Sequence, residues 1–390
     1  MLLQVHVLRN TIATLVVFAI AVNHAGAAGP QPTTAPYGAI VVSPDTKNLA
    51  SAIDNAPPGA TIYFDSGRYV DLRIEPKTGQ IYLAQQGAIL ASSKSSYAFE
   101  CFALPADNVT IQNFTIDGYL PQYQCGVIQS GIIGKSGTHW TVKNCEVRNC
   151  LNGGGIVLFD YSRIIGCYIH HCDQIGIKMF GQSPKFLNNH VAYNNLAHKF
   201  PVNDEAGGSK FWATSGLRCS TNEFDHNVGC GIWCDNKNID GWIDHNNCHD
   251  NTYNGIYQEI GGAMVIEENT CTDNGTEYTL AGWLDGAGIA IEASENVTVR
   301  YNIVRGNANG IGLIASQRGS PTWEIKNVSV YGNTISMTKG QTGLCWDGKC
   351  PAPWNGSTWW QNNYQLSHTA SFLWQGNQLT LAQWKSAGNN

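Results

Sequence analysis

The sequence predicts an all-β fold, a right-handed parallel β-helix whose coils contain about 22–24 residues. Three observations lead to this fold class. Short Val/Ile-rich segments recur at a regular spacing, 42 Gly residues supply turns, and only 13% of the residues are charged. A chain of 390 residues also exceeds the usual size of one compact core, a limit that does not apply to an elongated repeat domain.

The amino-terminal segment, residues 1–27, is expected to be removed from the mature protein. Arg9 precedes an apolar run from Ile12 to Val22, and small residues follow up to Ala27. This arrangement is typical of a secretory signal peptide cleaved near Ala27, so we expect a secreted or periplasmic protein. The run is too short to cross a bilayer and no later segment is apolar enough, which argues against a membrane partner.

The remaining chain is expected to form a capped solenoid. Residues 28–69 are predicted to form an N-terminal segment with a capping helix at Leu49–Ile53 and the first strand. Residues 70–340 are predicted to form the β-helix, and residues 341–390 a C-terminal loop and cap, with the cap at Leu379–Lys385. Caps are expected because the open ends of a solenoid expose unpaired strand edges.

The repeat can be aligned on Cys or Asn positions that follow one strand of each coil. Their spacing is 22–24 residues, and it increases to 31–33 where a coil carries an insertion. Such insertions usually lie on one face of a solenoid, often the binding face. The aligned positions are Cys145, Cys167, Asn189, Asn222, Asn246, Asn269, Asn302 and Asn333.

Most of the 13 cysteines are predicted to be structural. Cys145 and Cys167 are 22 residues apart, which is one repeat, so their thiols should stack as small buried groups on neighbouring coils. Cys345 and Cys350 lie in one short loop and are predicted to form a local disulfide. No CxxC or paired Cys/His spacing supports a zinc site.

Seven strands that mostly begin with Gly-Ile can be superposed, and side chains alternate between the two faces of a strand. Their second and fourth positions are apolar and are predicted to face the core, with Ser209 and Gln258 as exceptions. The third and fifth positions are predicted to face outward in two columns. One column consists of Val157, Lys178, Lys210, Trp233, Tyr257, Ala290 and Gly312. The other consists of Phe159, Phe180, Trp212, Asp235, Glu259, Glu292 and Ile314.

This outward face is predicted to bind a polysaccharide or oligosaccharide. Two insertions, Leu196–Gly207 and Gly275–Ala287, enter directly before strands of the sheet and would wall a groove across it. Aromatic rings can cover the apolar face of a sugar while their polar edges stay wet, although ordinary stacking between coils explains each ring equally well. The candidate substrate-binding residues are Trp212, Trp233, Tyr257, Lys178, Asp204, Glu205 and Trp283.

Three carboxylates, Asp235, Glu259 and Glu292, are expected to stack on successive coils at ~4.8 Å, which is unfavourable unless something compensates. Three interpretations remain open. The carboxylates form a solvated ladder, or Glu205, Asp235 and Glu259 bind calcium, or the cluster is catalytic and like-charge coupling raises one pKa. Retaining glycosidases hold two carboxyl groups ~5–5.5 Å apart and inverting ones ~6.5–9.5 Å, so both mechanisms are compatible. Apart from calcium, no cofactor is expected.

The mature chain resembles the pectin-lyase-like superfamily of right-handed parallel β-helices over nearly its whole length. Within it, the strands ending in Ile-Trp-Cys-Asp235 and Ile-Tyr-Gln-Glu259 are similar to the paired aspartate and glutamate strands of β-helical xylosidases in glycoside hydrolase family 120. This resemblance implies that Asp235 is a nucleophile and Glu259 the proton donor. It favours a secreted glycoside hydrolase.

A second resemblance implies a different reaction. Asp204 and Glu205 before Lys210 are similar to the site of β-helical alginate and chondroitin lyases of polysaccharide lyase family 6, in which carboxylates bind calcium and a lysine abstracts a proton. Lys210 would then be the base of a lyase or epimerase. That family also needs an arginine about one coil further on, where this chain has Trp233, and three carboxylates would repel a uronate. The hydrolase is therefore preferred.

A non-catalytic carbohydrate-binding or adhesin-like surface is the third alternative, because a β-helix does not by itself imply catalysis. Nucleic acid is not expected as a partner, since the net charge is −6 and no Lys/Arg cluster is present. The protein is predicted to be a monomer. Five histidines near turns are predicted to be solvated surface groups: His170, His171, His226, His245 and His249.

Overall fold

The computed structural model describes residues 34–277, 283–319, 322–349, 355–374 and 376–389. The predicted signal peptide lies outside these residues. Regular structure in the described part of the chain is almost entirely β, and strands of successive coils pair in parallel to form three long sheets. The predicted all-β parallel β-helix is confirmed.

Each complete coil contributes one strand to each sheet. The first sheet comprises Ile40–Val42, Thr61–Phe64, Ile81–Ala84, Thr110–Gln112, Thr141–Lys143, Arg163–Ile165, Lys185–Leu187, Arg218–Ser220, Trp242–Asp244, Val265–Glu267, Thr298–Arg300, Ser329–Tyr331 and Thr358–Trp360. The second comprises Gly67–Val70, Ala88–Ala91, Thr115–Asp117, Glu146–Arg148, Tyr168–His170, His190–Ala192, Glu223–Asp225, Asn247–His249, Thr270–Thr272, Ile303–Arg305, Thr334–Met337 and Asn363–Leu366.

The third sheet has the longest strands. It comprises Phe99–Glu100, Gly126–Gln129, Gly154–Leu158, Ile175–Gln182, Gly207–Ser215, Ile232–Asp235, Asn238–Ile239, Ile256–Gly262, Ala287–Glu295, Asn309–Ala315, Gln341–Trp346, Ser371–Trp374 and the antiparallel Asn377–Leu379. A small antiparallel hairpin, Gly131–Ile132 with Lys135–Ser136, projects beside this sheet.

Inward-facing residues of the three sheets form one continuous apolar core along the solenoid. Asparagine ladders close the coils at two turns. In one of them the buried Asn251 amide donates to Phe224 O and to Asn274 Oδ1, both at 2.9 Å, while its own oxygen accepts from Asn227. The ladders satisfy turn backbone groups that the core would otherwise leave without partners.

Cysteine stacking is confirmed, and the predicted disulfide is not. Cys145 and Cys167 are buried on adjacent coils, where the Cys145 amide lies 3.4 Å from the Cys167 sulfur. Cys345 is a buried free thiol, and Cys350 lies outside the described residues. Burial raises the pKa of Cys345 to about 12. Cys345 belongs to a buried cluster that also contains Leu284 and Ile314.

The two polar residues at core positions behave differently. Ser209 donates to Gly231 O at 2.9 Å, so its hydroxyl is satisfied by the next coil. Gln258 is fully buried, and its side-chain amide has no hydrogen-bond partner among the described residues.

Both ends of the solenoid are covered. The predicted N-terminal helix is present as Leu49–Asp54, with Ile53 buried. However, strand Ile40–Val42 precedes it and pairs with Thr61–Phe64, so the predicted first strand is the second. None of the helices in the described ranges is long and apolar enough to span a membrane.

The C-terminal cap is the helix Leu381–Ser386, which begins with a capping box between Thr380 and Gln383. Trp384 is fully buried and stacks on Phe372 with a ring separation of 4.6 Å. The sheets continue to this helix, so the β-helix extends beyond the predicted boundary at residue 340.

Candidate active site

The outward face of the third sheet carries the candidate site. Its strand register places Trp212 opposite Asp235, Cys234 opposite Gln258, and Glu259 opposite Glu292. Since side chains alternate, Asp235, Glu259 and Glu292 follow one another on three successive coils. This arrangement agrees with the superposition of the sequence strands.

Two buried lysines balance the negative charges of Glu205 and Asp235. Lys210 Nζ lies 2.9 Å from Asp235 Oδ2 and 3.0 Å from Glu205 Oε1. Lys178 forms an ion pair with the other oxygen of Glu205. Burial opposes ionisation of Glu205, but Lys210 and Lys178 outweigh it and lower the pKa of this carboxyl. Burial lowers the pKa of Lys178, against the attraction of Glu205.

Arg318, which the sequence did not single out, compensates the other two carboxylates. It forms an ion pair with Glu259 Oε1 and lies 3.4 Å from Glu292 Oε1. The second oxygen of Glu259 accepts a 2.9 Å hydrogen bond from Trp233 Nε1. Both oxygens of Glu259 therefore accept hydrogen bonds, which is the pattern of an ionised carboxylate.

The surroundings of Glu292 oppose its ionisation. Burial raises its pKa, although it accepts hydrogen bonds from Tyr257 and, at 2.8 Å, from Ser316. Asp285, in the second insertion, is also buried, and burial raises its pKa while Tyr253 donates to it at 2.6 Å. The cluster therefore combines a carboxyl whose pKa is lowered, that of Glu205, with two whose pKa is raised, those of Glu292 and Asp285.

Trp233 and Tyr257 do not form the predicted open sugar platform. The Lys210 ammonium lies 3.5 Å from the centroid of the Trp233 ring, and Tyr257 stacks on this ring at 5.8 Å. Trp233 and Tyr257 are only 4% and 5% exposed. Ordinary stacking between coils, the alternative to a sugar platform, therefore explains both rings. The polar atoms of the rings donate hydrogen bonds to carboxylates, Trp233 to Glu259 and Tyr257 to Glu292.

Trp212 remains accessible and lines an open cavity of about 390 Å³. Its ring packs edge-on against Phe180, which stacks on Phe159 at 4.7 Å. The hairpin at residues 131–136 and Asp160 complete the cavity. Because Trp212 lies opposite Asp235 in the sheet, this aromatic cavity adjoins the carboxylate cluster.

The first insertion supplies Glu205 to the cluster, but Asp204 points elsewhere. Asp204 is exposed and accepts a 3.1 Å hydrogen bond from Tyr123. In the second insertion, Trp283 is half-buried against the aromatic group around Trp233. His198 of the first insertion lies 3.8 Å from Glu277 of the second, so the two insertions meet above the sheet.

Each of the three candidate calcium ligands lies beside a cation of the chain, and calcium binding stays a prediction. Glu205 pairs with both lysines, Asp235 with Lys210, and Glu259 with Arg318. Calcium takes 6–8 oxygen ligands, and within the described ranges no group of three potential metal ligands includes these residues. Lysine and arginine side chains therefore balance the negative charge of these carboxylates, a role for which calcium was one candidate.

The chain matches the family model "Right handed beta helix region" over residues 130–275 and 237–363. No curated protein sequence matches significantly. Among solved structures, the A-module of the Azotobacter vinelandii mannuronan C-5 epimerase AlgE4 is 14% identical, with a TM-score of 0.56 and coverage of 88% of this chain and 96% of that one.

Two further solved structures are similar in fold. A mannuronic acid specific polysaccharide family 6 lyase from human gut microbiota is 13% identical, with a TM-score of 0.58 and coverage of 89% and 93%. The complex of XylC with xylose is 10% identical, with a TM-score of 0.59 and coverage of 83% and 80%. At these identities the similarity establishes the fold alone.

Proposed function

We propose that this chain, which belongs to the right handed beta helix family, is a carbohydrate-active enzyme that hydrolyses glycosidic bonds at the carboxylate cluster of the third sheet. The observation that carries the proposal is Asp235, which is partly exposed, hydrogen-bonded to Lys210, and one coil away from Glu259. A ladder with a structural role alone would not require one carboxylate to stay partly exposed while the rest of the charge network is buried.

Asp235 is suited to act as the nucleophile. Its side chain is 17% exposed, whereas those of Glu259 and Glu292 are 4% and 8% exposed. Lys210 keeps the carboxylate oriented. Adjacent coils are ~4.8 Å apart, close to the ~5–5.5 Å that separates the two carboxyl groups of retaining glycosidases.

Glu259 is the proposed proton donor, and it must first be released from Arg318. Arg318 is 43% exposed and already lies within 3.4 Å of Glu292, so it can transfer to that carboxylate when substrate enters. Ionisation of Glu292 and protonation of Glu259 would then occur together. Under this mechanism Arg318 is a positioning residue that sets which glutamate carries the proton.

The substrate is proposed to be a neutral or weakly charged glycan. In the described cluster the three cations Lys178, Lys210 and Arg318 each face a carboxylate. The aromatic cavity at Trp212, next to Asp235, offers rings against which a sugar can pack. Export to the cell surface or periplasm remains a prediction from the sequence.

Elimination at a uronate is the second candidate function, because Lys210 and Arg318 are both present in the cluster. The arginine that the sequence lacked at the position of Trp233 is supplied by a different segment. Lys210 is less suited to act as a base, however, since its Nζ is already held by two carboxylates, Glu205 at 3.0 Å and Asp235 at 2.9 Å.

Substitutions in the cluster test the hydrolase. Asp235→Asn should abolish turnover without loss of folding, and Glu259→Gln should slow substrates with poor leaving groups more than activated aryl glycosides. Glu267→Gln is a matched control, because Glu267 also accepts from a tryptophan, Trp242, and an arginine, Arg300, but lies on the first sheet. Full activity in both cluster variants would refute the proposed pair.

The products separate the two reactions. Purified protein is screened on plant and algal polysaccharides, and both reducing ends and ultraviolet absorbance are measured. Hydrolysis yields reducing ends without absorbance, whereas elimination also yields the absorbance of an unsaturated uronate. Lys210→Ala does not discriminate, since its loss would also release Asp235.

A further inference from the structure

The second sheet carries a cluster of imidazole and carboxylate groups that the proposed reaction does not use. Glu223 and Asp225 flank the core residue Phe224 and therefore face outward. His249 lies opposite Asp225 on the next coil. One ligand atom from each of Glu223, Asp225 and His249 lies within 4.8 Å of the other two.

The hydrogen bonds of His249 resemble those of a metal ligand. Its Nδ1 lies 2.8 Å from Asp250 Oδ2, and its Nε2 lies 3.1 Å from Glu223 Oε1. Histidines that bind metals usually donate their second ring N–H to a carboxylate, which fixes the orientation of the ring. Asp250 thus directs Nε2 of His249 towards Glu223 and Asp225.

Two further imidazoles contact Asp225, one of these carboxylates. His190 Nε2 lies 2.5 Å from Asp225 Oδ1, and the other oxygen of Asp225 lies 2.7 Å from His226 Nδ1. The site therefore offers one imidazole nitrogen, from His249, and two carboxylates, Glu223 and Asp225, while His190 and His226 hold Asp225 in place. This combination suits zinc and similar ions, whereas calcium prefers oxygen donors alone.

The cluster is also rigid. Glu223 and Asp225 are each 5% exposed and, like His249, belong to paired strands of the solenoid. Sites on regular strands hold their ligands with little reorganisation.

We propose that Glu223, Asp225 and His249 bind a divalent transition-metal ion, with Zn²⁺ as the representative case. The site lies on a different sheet from the carboxylate cluster, so it does not depend on the proposed hydrolysis. Its role would be to join two adjacent coils through one ion, in addition to their backbone hydrogen bonds.

Zinc binding to the untagged full-length protein, freed of metal with a chelator, tests the site by calorimetry and thermal unfolding. We expect one Zn²⁺ per chain and a higher Tm with zinc, because an ion that binds only the folded state stabilises it. Asp250→Asn should weaken binding about 10- to 100-fold, the usual effect of losing the carboxylate behind a metal-binding histidine. Asp250 has φ 55°, a conformation that Asn also accepts, so this variant should fold.

Further variants define the ligands. His249→Ala should abolish binding and Glu223→Gln should weaken it, whereas His245→Ala should bind like the wild type. His245 is a matched control because it also lies between two carboxylates, Asp244 and Glu268. Absence of zinc binding, or binding unaffected by His249→Ala, would overturn the site. Binding lost in His249→Ala but unchanged in Glu223→Gln would assign the ion to the alternative group His226, His249 and Asp250 and refute the proposed ligand set.

Discussion

Glu205 and Glu292 show how the same residue type acquires opposite properties within one cluster. Two lysines lower the pKa of Glu205, whereas burial raises that of Glu292. A carboxyl with a lowered pKa stabilises the fold above its unfolded-state pKa of about 4.3, and this contribution is lost as the pH falls through the folded-state value. A carboxyl with a raised pKa instead lowers the stability as the pH rises from the unfolded-state pKa of about 4.3 through its higher folded-state value.

The substitution to glutamine should therefore have opposite signs at the two positions. At neutral pH, Glu205→Gln should destabilise the protein by about 3 kcal/mol, because two buried lysines lose a shared partner. Glu292→Gln should stabilise it, because no charge is then buried. Chemical unfolding at neutral pH and below pH ~4 measures both effects, and each difference should shrink at the lower pH. A destabilised Glu292→Gln at neutral pH would contradict this account.

At the residue scale, the sequence predicted the ladder but not its partners. The column of Asp235, Glu259 and Glu292 follows from strand periodicity alone. Arg318 comes from a segment between strands. The alternation of side chains along strands does not predict where the side chains of such a segment point. The 31-residue step from Asn302 to Asn333 did indicate an insertion there, which was the available signal for it.

The predicted exposure of Trp233 was wrong for a related reason. An outward position is exposed only if its neighbours leave it uncovered, and Lys210 and Tyr257 of the same column cover both faces of this ring. The metal-ligand candidates were missed because Glu223 and His249 are 26 residues apart. Such a spacing has meaning only once the coils are in register.

At the scale of the structural element, the asparagine ladder is the main polar support of the coil. Asn251→Ala would remove the hydrogen bonds to Asn227, Asn274 and the Phe224 carbonyl and leave buried groups unsatisfied. We expect a destabilisation of at least about 1–3 kcal/mol, measured by chemical unfolding.

Asn363→Ala is the control for the ladder, because Asn363 is an exposed strand residue outside it. Its effect should be within about 0.5 kcal/mol of zero. Equal stability of the two variants would mean that the ladder contributes no more than a surface asparagine.

At the scale of the whole molecule, the solenoid depends on covered ends. Strand pairing along the three sheets would continue into other chains if the last coil were open. Trp384 of the C-terminal helix is fully buried against Phe372 and Trp359, so this residue anchors the cap. The sequence predicted both caps from their positions, but not the extension of the sheets beyond residue 340.

Trp384→Ala should destabilise the protein by about 3–5 kcal/mol, the usual cost of removing a buried tryptophan, and should promote association through the exposed strand edges. Size-exclusion chromatography with light scattering and thermal unfolding measure the two effects. Leu381→Ala, in the same helix but 41% exposed, should change neither. A monomeric Trp384→Ala variant of unchanged Tm would show that the helix is dispensable.

The mass of the products formed from a defined oligosaccharide tests the central claim most directly. Hydrolysis at Asp235 adds one water to the sum of the product masses, and Asp235→Asn should form no product under the same conditions. Elimination adds no water and leaves one product unsaturated. Products without added water, or undiminished hydrolysis by Asp235→Asn, would contradict the assignment of this cluster as the active site of a glycoside hydrolase.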